Sequence, residues 1–255
     1  MNRRSAMSTL IGAVGSAALG HALRAQESHA FVGEIKAIAF DAFVIFDPRP
    51  IEKRVTEIVP DKSIEFANLW RARQFEYCWL RTAAGRYVDF WQVTDDALRY
   101  TANSLKVVLN ISKQDDLMDA FRSLPLWPDV AAGLGLLRQR GIRLALLSNF
   151  TSAMLDANLK ATGLREFFEP HLTTDRVQSY KPSAQAYKMG QDAFGLQKSA
   201  IAFAASAAWD AAGAKWFGYP TVWVNRGGNP TEELDARPDV VAGNLSGLVD
   251  FVGRS

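Results

Sequence analysis

The chain has 255 residues, 48% of them apolar and 22% charged, which suits one large globular domain or a core with an inserted subdomain. Its single cysteine, Cys78, excludes an internal disulfide and any cysteine-based zinc site, and three histidines leave little from which to build a histidine site. The formal charge of +2 arises in residues 1–30, where Arg3, Arg4 and Arg24 face only Glu27; the rest is balanced, and nothing in it points to nucleic-acid binding.

Residues 1–30 read as an export signal. Arg3 and Arg4 precede an uncharged stretch, Ser5 to Leu23, that contains Gly12, Gly15 and Gly20. Its Gly, Ala and Ser content is too high for a stable membrane span, which needs about 20 strongly apolar residues. The pattern resembles a twin-arginine signal with cleavage after Ala25 or Ala30, and it predicts a periplasmic protein. The alternative is a frayed amphipathic helix on a cytoplasmic protein.

The first strand is expected over Ile35–Phe40 and ends at Asp41. Further strands are expected at Ile142–Leu147, near Leu172–Thr174, at Ile201–Ala204 and at Thr221–Val224. Helical patterns at Val130–Gln139, Ala153–Thr162, Ala184–Phe194 and Ala211–Phe217 separate them. Gly141, Gly163, Gly195 and Gly218 follow those patterns, where C-terminal caps belong. This alternation predicts an α/β, Rossmann-like parallel sheet with helices on both faces.

About a hundred residues separate the first two strands, too many for a crossover and too patterned for a loop. Pro48 and Pro50 open the segment, and Pro125 and Pro128 close it. Inside it Phe66, Leu69, Trp70, Tyr77 and Leu80 fall on one helical stripe, so residues 48–127 read as a helical cap inserted into a core of residues 31–47 and 128–255. Arg71 lies off that stripe, in phase with Phe75, Cys78 and Trp79. An arginine there snorkels to the cap surface or meets an anion.

Four expected strand ends carry polar residues: Asp41 after the first, Ser148 and Asn149 after the second, Lys181 after the third and Asp210 after the fourth. In an open α/β sheet the carboxyl edge is where ligands bind. Asp41 is the candidate nucleophile. Lys181 beside it would favour its ionised form, Ser148 could hydrogen-bond the nucleophile or a substrate carboxylate, and Asp210 could orient Lys181 or polarise a water.

The order of these residues resembles the haloacid dehalogenase superfamily over about Ile35 to Val252, and the L-2-haloacid dehalogenases in particular. The matching segments are Leu69-Trp70-Arg71 through Trp79-Leu80-Arg81, Gly85-Arg86-Tyr87 with Phe90, Leu147-Ser148-Asn149, Tyr180-Lys181-Pro182 with Tyr187, Trp209-Asp210 through Ala214, and Trp223-Val224-Asn225-Arg226. The resemblance implies that Asp41 displaces halide from a small 2-haloacid, forming an ester that water hydrolyses, with no metal or cofactor. It implies Arg71 and Asn149 as the halide cradle, with Phe75, Phe90 and Trp209 as apolar walls. Ser148 would hold the substrate carboxylate, and Lys181, hydrogen-bonded to Tyr187, would steady Asp41. A homodimer is the oligomer it suggests.

The sequence departs from the family at three places. Val44 and Ile45 stand where a glycine and a threonine are usual, and the threonine would hydrogen-bond the nucleophile. Ala205 and Ala207 stand where a serine and an asparagine help to position the hydrolytic water, so that only Ser206 is polar there. Two alternatives stay open. A superfamily phosphatase would require Mg²⁺ and an acid where Phe43 stands; a non-catalytic binder of small carboxylates would retain Arg71 and Ser148.

Overall fold

The computed structural model describes residues 33–253; the export signal expected over residues 1–30 lies outside the described residues. Six parallel strands form one sheet: β1 (Ala37–Phe40), β2 (Arg143–Ser148), β3 (His171–Thr173), β4 (Ile201–Ala205), β5 (Thr221–Val224) and β6 (Val240–Ala242), in the order β3-β2-β1-β4-β5-β6. The chain winds outward from β1 in one direction through β2 and β3, then returns to the other side of β1 as β4. The crevice at this reversal, at the carboxyl ends of β1 and β4, is where such sheets bind ligands.

The period of two along the strands divides the sheet into two apolar faces. Ile38, Phe40, Leu144, Leu146, Ala202 and Val222 point into one core, and Ala39, Ala145, Leu147 and Phe203 into the other. Both faces are covered by helices, so the strands need no polar alternation. The helices in chain order are α1 (Ala42–Ile45), α2 (Arg49–Ile58), α3 (Ser63–Ala84), α4 (Phe90–Ser104), α5 (Ile111–Asp119), α6 (Val130–Gln139), α7 (Ser152–Thr162), α8 (Ala184–Phe194), α9 (Ala208–Phe217) and α10 (Leu245–Gly253). Helices α6, α7 and α10 bury leucines, valines and a methionine in the first core; α8 and α9 complete the second. Among the described residues no helix is long and apolar enough to cross a membrane.

The expected strands and helices are present with ends shifted by three residues or fewer. Two elements had no clear sequence signal. Strand β6 has three residues, with Val241 half exposed at the sheet edge, and α10 follows it after a short turn.

Between β1 and β2 the chain is mostly helical, from α2 through α5. It leaves and returns through one clasp: Asp47 N–H donates to Pro125 O, Trp127 N–H donates to Ile45 O, and Phe46 and Leu126 form an antiparallel bridge. The buried ladder of α3 is Phe66, Trp70, Gln74 and Cys78, each one turn apart. Trp70 Nε1 donates to Thr94 O at 2.9 Å and Gln74 Nε2 to Thr94 Oγ1 at 2.7 Å, which fixes α3 on α4. This corrects the expected stripe. Leu80 is 63% exposed, and Cys78 sits on the buried ladder rather than with Arg71. The stripe drifts because a straight helix turns by 100° per residue, and a small polar pair at 74 and 94 replaced the apolar contact that periodicity looks for.

Candidate active site

Asp41 follows the last residue of β1 and caps α1, accepting a hydrogen bond from Phe43 N–H at 3.1 Å. The residue is 7% exposed. Its Oδ1 accepts from Lys181 Nζ at 2.7 Å and its Oδ2 from Ser206 Oγ at 2.6 Å. The carboxylate therefore has donors on both oxygens while one edge of the site stays open to a cavity.

Ser206 supplies the hydroxyl that Ile45 lacks. In the parallel register Phe40 pairs with Ala204, so Ser206, two residues beyond Ala204 at the end of the neighbouring strand β4, stands one residue beyond the level of Asp41. Adjacent strands lie about 4.8 Å apart, within reach of a serine side chain. Trp223 Nε1, from β5, donates to Ser206 O at 3.2 Å and holds that turn. The sequence showed Ser206 as the one polar residue in an alanine run but could not place it on Asp41. The valine at 44 is also accommodated. Residues 42–45 form a helical turn with no positive φ, a conformation that a β-branched residue adopts.

Lys181 Nζ bridges two acids, with Asp210 Oδ2 at 2.6 Å opposite Asp41. Burial alone would lower the Lys181 pKa, but the charges of Asp210 and Asp41 outweigh it and the net shift is upward, so the ammonium is retained. Two carboxylates share this one cation. Burial, together with the nearby charge of Asp41, raises the Asp210 pKa to about 6 against the lowering by Lys181. The Lys181 backbone N–H donates to Asn149 Oδ1 at 3.2 Å, which leaves the Asn149 amide N–H groups as its donors for a ligand.

Tyr187 does not occupy its expected place. Its hydroxyl donates to Asp210 Oδ1 at 2.7 Å, not to Lys181, and the residue is fully buried under α9, away from both cavities described below. It is a support for Asp210 and touches no ligand space. Gly213 makes this approach possible, because a Cβ there would collide with Tyr187 Oη and Pro182. The lysine and tyrosine are six residues apart across a turn into α8, a separation that says nothing of which acid lies between them.

Ser148 Oγ accepts from Phe150 N–H at 3.0 Å, so its own O–H remains free to donate. A cavity of about 20 Å³ lies beside Asp41, with Ser148, Asn149, Ser206 and Asp210 as its polar walls. Phe75, Phe90 and Trp209 line it on the apolar side. Phe90 stacks on Phe150 with ring centroids 5.6 Å apart, and Phe75 packs on Trp209 at 5.2 Å. Arg71 overlooks the cavity from α3. It is exposed, and it forms no hydrogen bond or ion pair among the described residues. Eight of the ten residues expected at the site thus line one cavity; Lys181 reaches Asp41 from beneath it, and Tyr187 stands behind Asp210. Among the described residues no three His, Cys, Asp or Glu side chains cluster as a metal site.

A parallel α/β sheet with a lysine-bridged carboxylate at the end of its first strand, roofed by helices that carry an arginine with no partner among the described residues, is the framework of a hydrolase with an α/β core. The chain belongs to the haloacid dehalogenase-like hydrolases, whose family model matches residues 34–218. It is 42% identical over 218 residues to an (S)-2-haloacid dehalogenase of Pseudomonas sp. (strain YL), which covers 85% of this chain and 94% of that protein. A solved L-2-haloacid dehalogenase superposes with a TM-score of 0.85 at 36% identity, over 87% of this chain and 100% of that one. A second, from Xanthobacter autotrophicus with chloropropionic acid covalently bound, has a TM-score of 0.78 at 30% identity, over 86% and 98%.

Proposed function

We propose that this protein hydrolyses the carbon–halogen bond of small 2-haloalkanoic acids, giving 2-hydroxy acids through an ester on Asp41. The observation that carries the reading is the Asp41 carboxylate, held by Lys181, Ser206 and the Phe43 amide beneath the unpaired guanidinium of Arg71. A carboxylate fixed by donors and facing an apolar, cation-capped pocket is arranged for displacement at carbon.

In this reading a carboxylate oxygen of Asp41 attacks C2, and the halide leaves with the bonding electron pair. Arg71 and the Asn149 amide receive the halide; Phe75, Phe90 and Trp209 exclude water and so strengthen those contacts. The free O–H of Ser148 donates to the substrate carboxylate. Water then attacks the Asp41 carbonyl carbon, which releases the 2-hydroxy acid and a proton and restores the carboxylate. Lys181 balances the charge of Asp41, and Asp210, held by Tyr187, holds Lys181. Residues 48–127 act as the cap that brings Arg71 and Phe75 over the nucleophile.

The test is halide release from 2-chloropropionate without added metal, with mass spectrometry of the peptide containing Asp41 under excess enzyme. An ester on that peptide supports the reading. Turnover that depends on Mg²⁺ would favour a phosphatase-like mechanism, and binding without turnover a non-catalytic one.

Two results are expected within this reading. Ser206→Ala removes a hydrogen bond to a charged group, worth about 1.5–3 kcal/mol. If the bond tightens as the ester forms, kcat falls roughly 10- to 100-fold, while KM changes little and Ser206→Thr retains most of the rate. An unchanged kcat in Ser206→Ala would mean that the bond is idle. The second concerns pH. Asp210 must be ionised to hold Lys181, and its pKa is about 6. The rate should therefore fall as pH drops through about 6. Tyr187→Phe removes a donor that favours the Asp210 carboxylate and should move this acid limb to higher pH. A limb at the same pH in both proteins would remove Asp210 from the profile.

A further inference from the structure

Two cavities adjoin beside Asp41, which lines the smaller of them. The small one is about 20 Å³, room for about one water, and is lined by Asp41 and by Ser206, which bonds it. A second, of about 330 Å³, lies between the α2–α3 side of the helical layer and the end of β5. The two share Phe43, Arg71, Phe75 and Ser206. Ser206 touches the Asp41 carboxylate at 2.6 Å, so the large cavity begins one side chain from the reacting oxygen.

A 2-haloacid carries a carboxylate, a halogen and one further substituent on its reacting carbon. The first two need donors or charge, and Arg71, Ser148 and Asn149 offer these at the small cavity. The third needs only space. The large cavity provides it between Ile51, Val55, Trp70, Phe121, Trp127 and Val224. Two of its other charges are engaged. Arg49 bonds Asp47, and Arg226 bonds Asp129. Both guanidiniums lie over Trp127, at 4.7 and 4.6 Å from its ring centroid. Glu52 is exposed, and its charge disfavours an anionic substituent.

We propose that the large cavity is the subsite for the C2 substituent, and that the favoured substrates are 2-haloalkanoic acids bearing an unbranched apolar chain of about three to six carbons. The inference rests on the dehalogenase reading above. The cavity is roughly twice the volume of about 150 Å³ that accepts benzene in an engineered core, so such a chain fits. A burial gain of about 0.8 kcal/mol per methylene corresponds to about a three- to fourfold rise in kcat/KM for each one.

The experiment measures bromide release from racemic 2-bromopropionate, 2-bromobutanoate, 2-bromohexanoate and 2-bromooctanoate. It uses the wild-type chain and two variants, Ala67→Phe on α3 and Val55→Phe on α2, both aimed into the large cavity. Melting curves establish that each variant folds, and either folded variant suffices. The expected result is a wild-type kcat/KM that climbs about threefold or more per methylene to 2-bromohexanoate. The variants should keep the 2-bromopropionate rate and lose at least tenfold on 2-bromohexanoate. A wild-type rate that falls steadily from 2-bromopropionate overturns the subsite and leaves the dehalogenase standing. So does a folded variant that slows all the acids equally. No bromide release from any acid overturns the dehalogenase reading itself, and this inference with it.

Discussion

Asp41→Asn is expected to lower halide release on the order of 10⁴-fold or more, because the attacking group is lost rather than a helper. The same change should leave stability intact or raise it slightly. Lys181 now serves two buried acids, and removing one leaves a neutral pair with Asp210 at 2.6 Å. The Asp210 carboxyl should also return downward from about 6, since the charge of Asp41 contributes to that rise. Calorimetry beside halide assays separates the effects. A variant that still turns over at a comparable rate would remove Asp41 as nucleophile, and one that melts far lower would make it a structural residue.

Lys181→Met has the second large effect, and it is on stability. The ammonium is 1% exposed and is hydrogen-bonded to Asp41 and Asp210. Breaking a buried ion pair from one side costs about 3–5 kcal/mol, because the other charge stays buried without a partner. For a domain of this size that is a fall of roughly 10 °C in Tm. The pH dependence has a definite sign. Without the lysine, burial and mutual repulsion hold the Asp210 pKa further above its ordinary value. A carboxyl raised in the folded state favours folding below its unfolded pKa, near 3.8, and that contribution is lost as pH rises through the folded value. The deficit against wild type should therefore grow between pH 5 and pH 8. A deficit that is flat over this range would show that packing, not charge, accounts for the loss.

Much of the site was legible because the strand ends were legible. A run such as Ala37–Phe40 that ends in an acid, and another such as Arg143–Ser148 that ends in Ser-Asn, place their polar residues at one edge of any parallel sheet. The expected Rossmann-like sheet with helices on both faces needed only the alternation of apolar runs and capped helices. Three things were not legible. The bond from Ser206 to Asp41 depends on β4 lying next to β1 in a given register, across 165 residues of chain. The true partner of Tyr187 depends on how closely α8 approaches α9 at Gly213. The short β6 carries too few residues for a periodic signal.

The departures from family pattern show the same division. That Ile45 cannot donate a hydrogen bond follows from its side chain alone, and so does the want of polar groups at Ala205 and Ala207. Which residue meets Asp41 instead is decided by a strand spacing of about 4.8 Å and by the turn that Trp223 holds. The sequence by itself determined which chemical groups are available, which segments are strands or helices, and which edge of the sheet carries the polar ends, since these follow from local periodicity and composition. The tertiary structure decided which donor bonds which oxygen, that one lysine must serve two acids, and that a largely apolar cavity of about 330 Å³ opens beside them. Those outcomes rest on ångström-scale distances between segments far apart in the chain, and no local pattern encodes them.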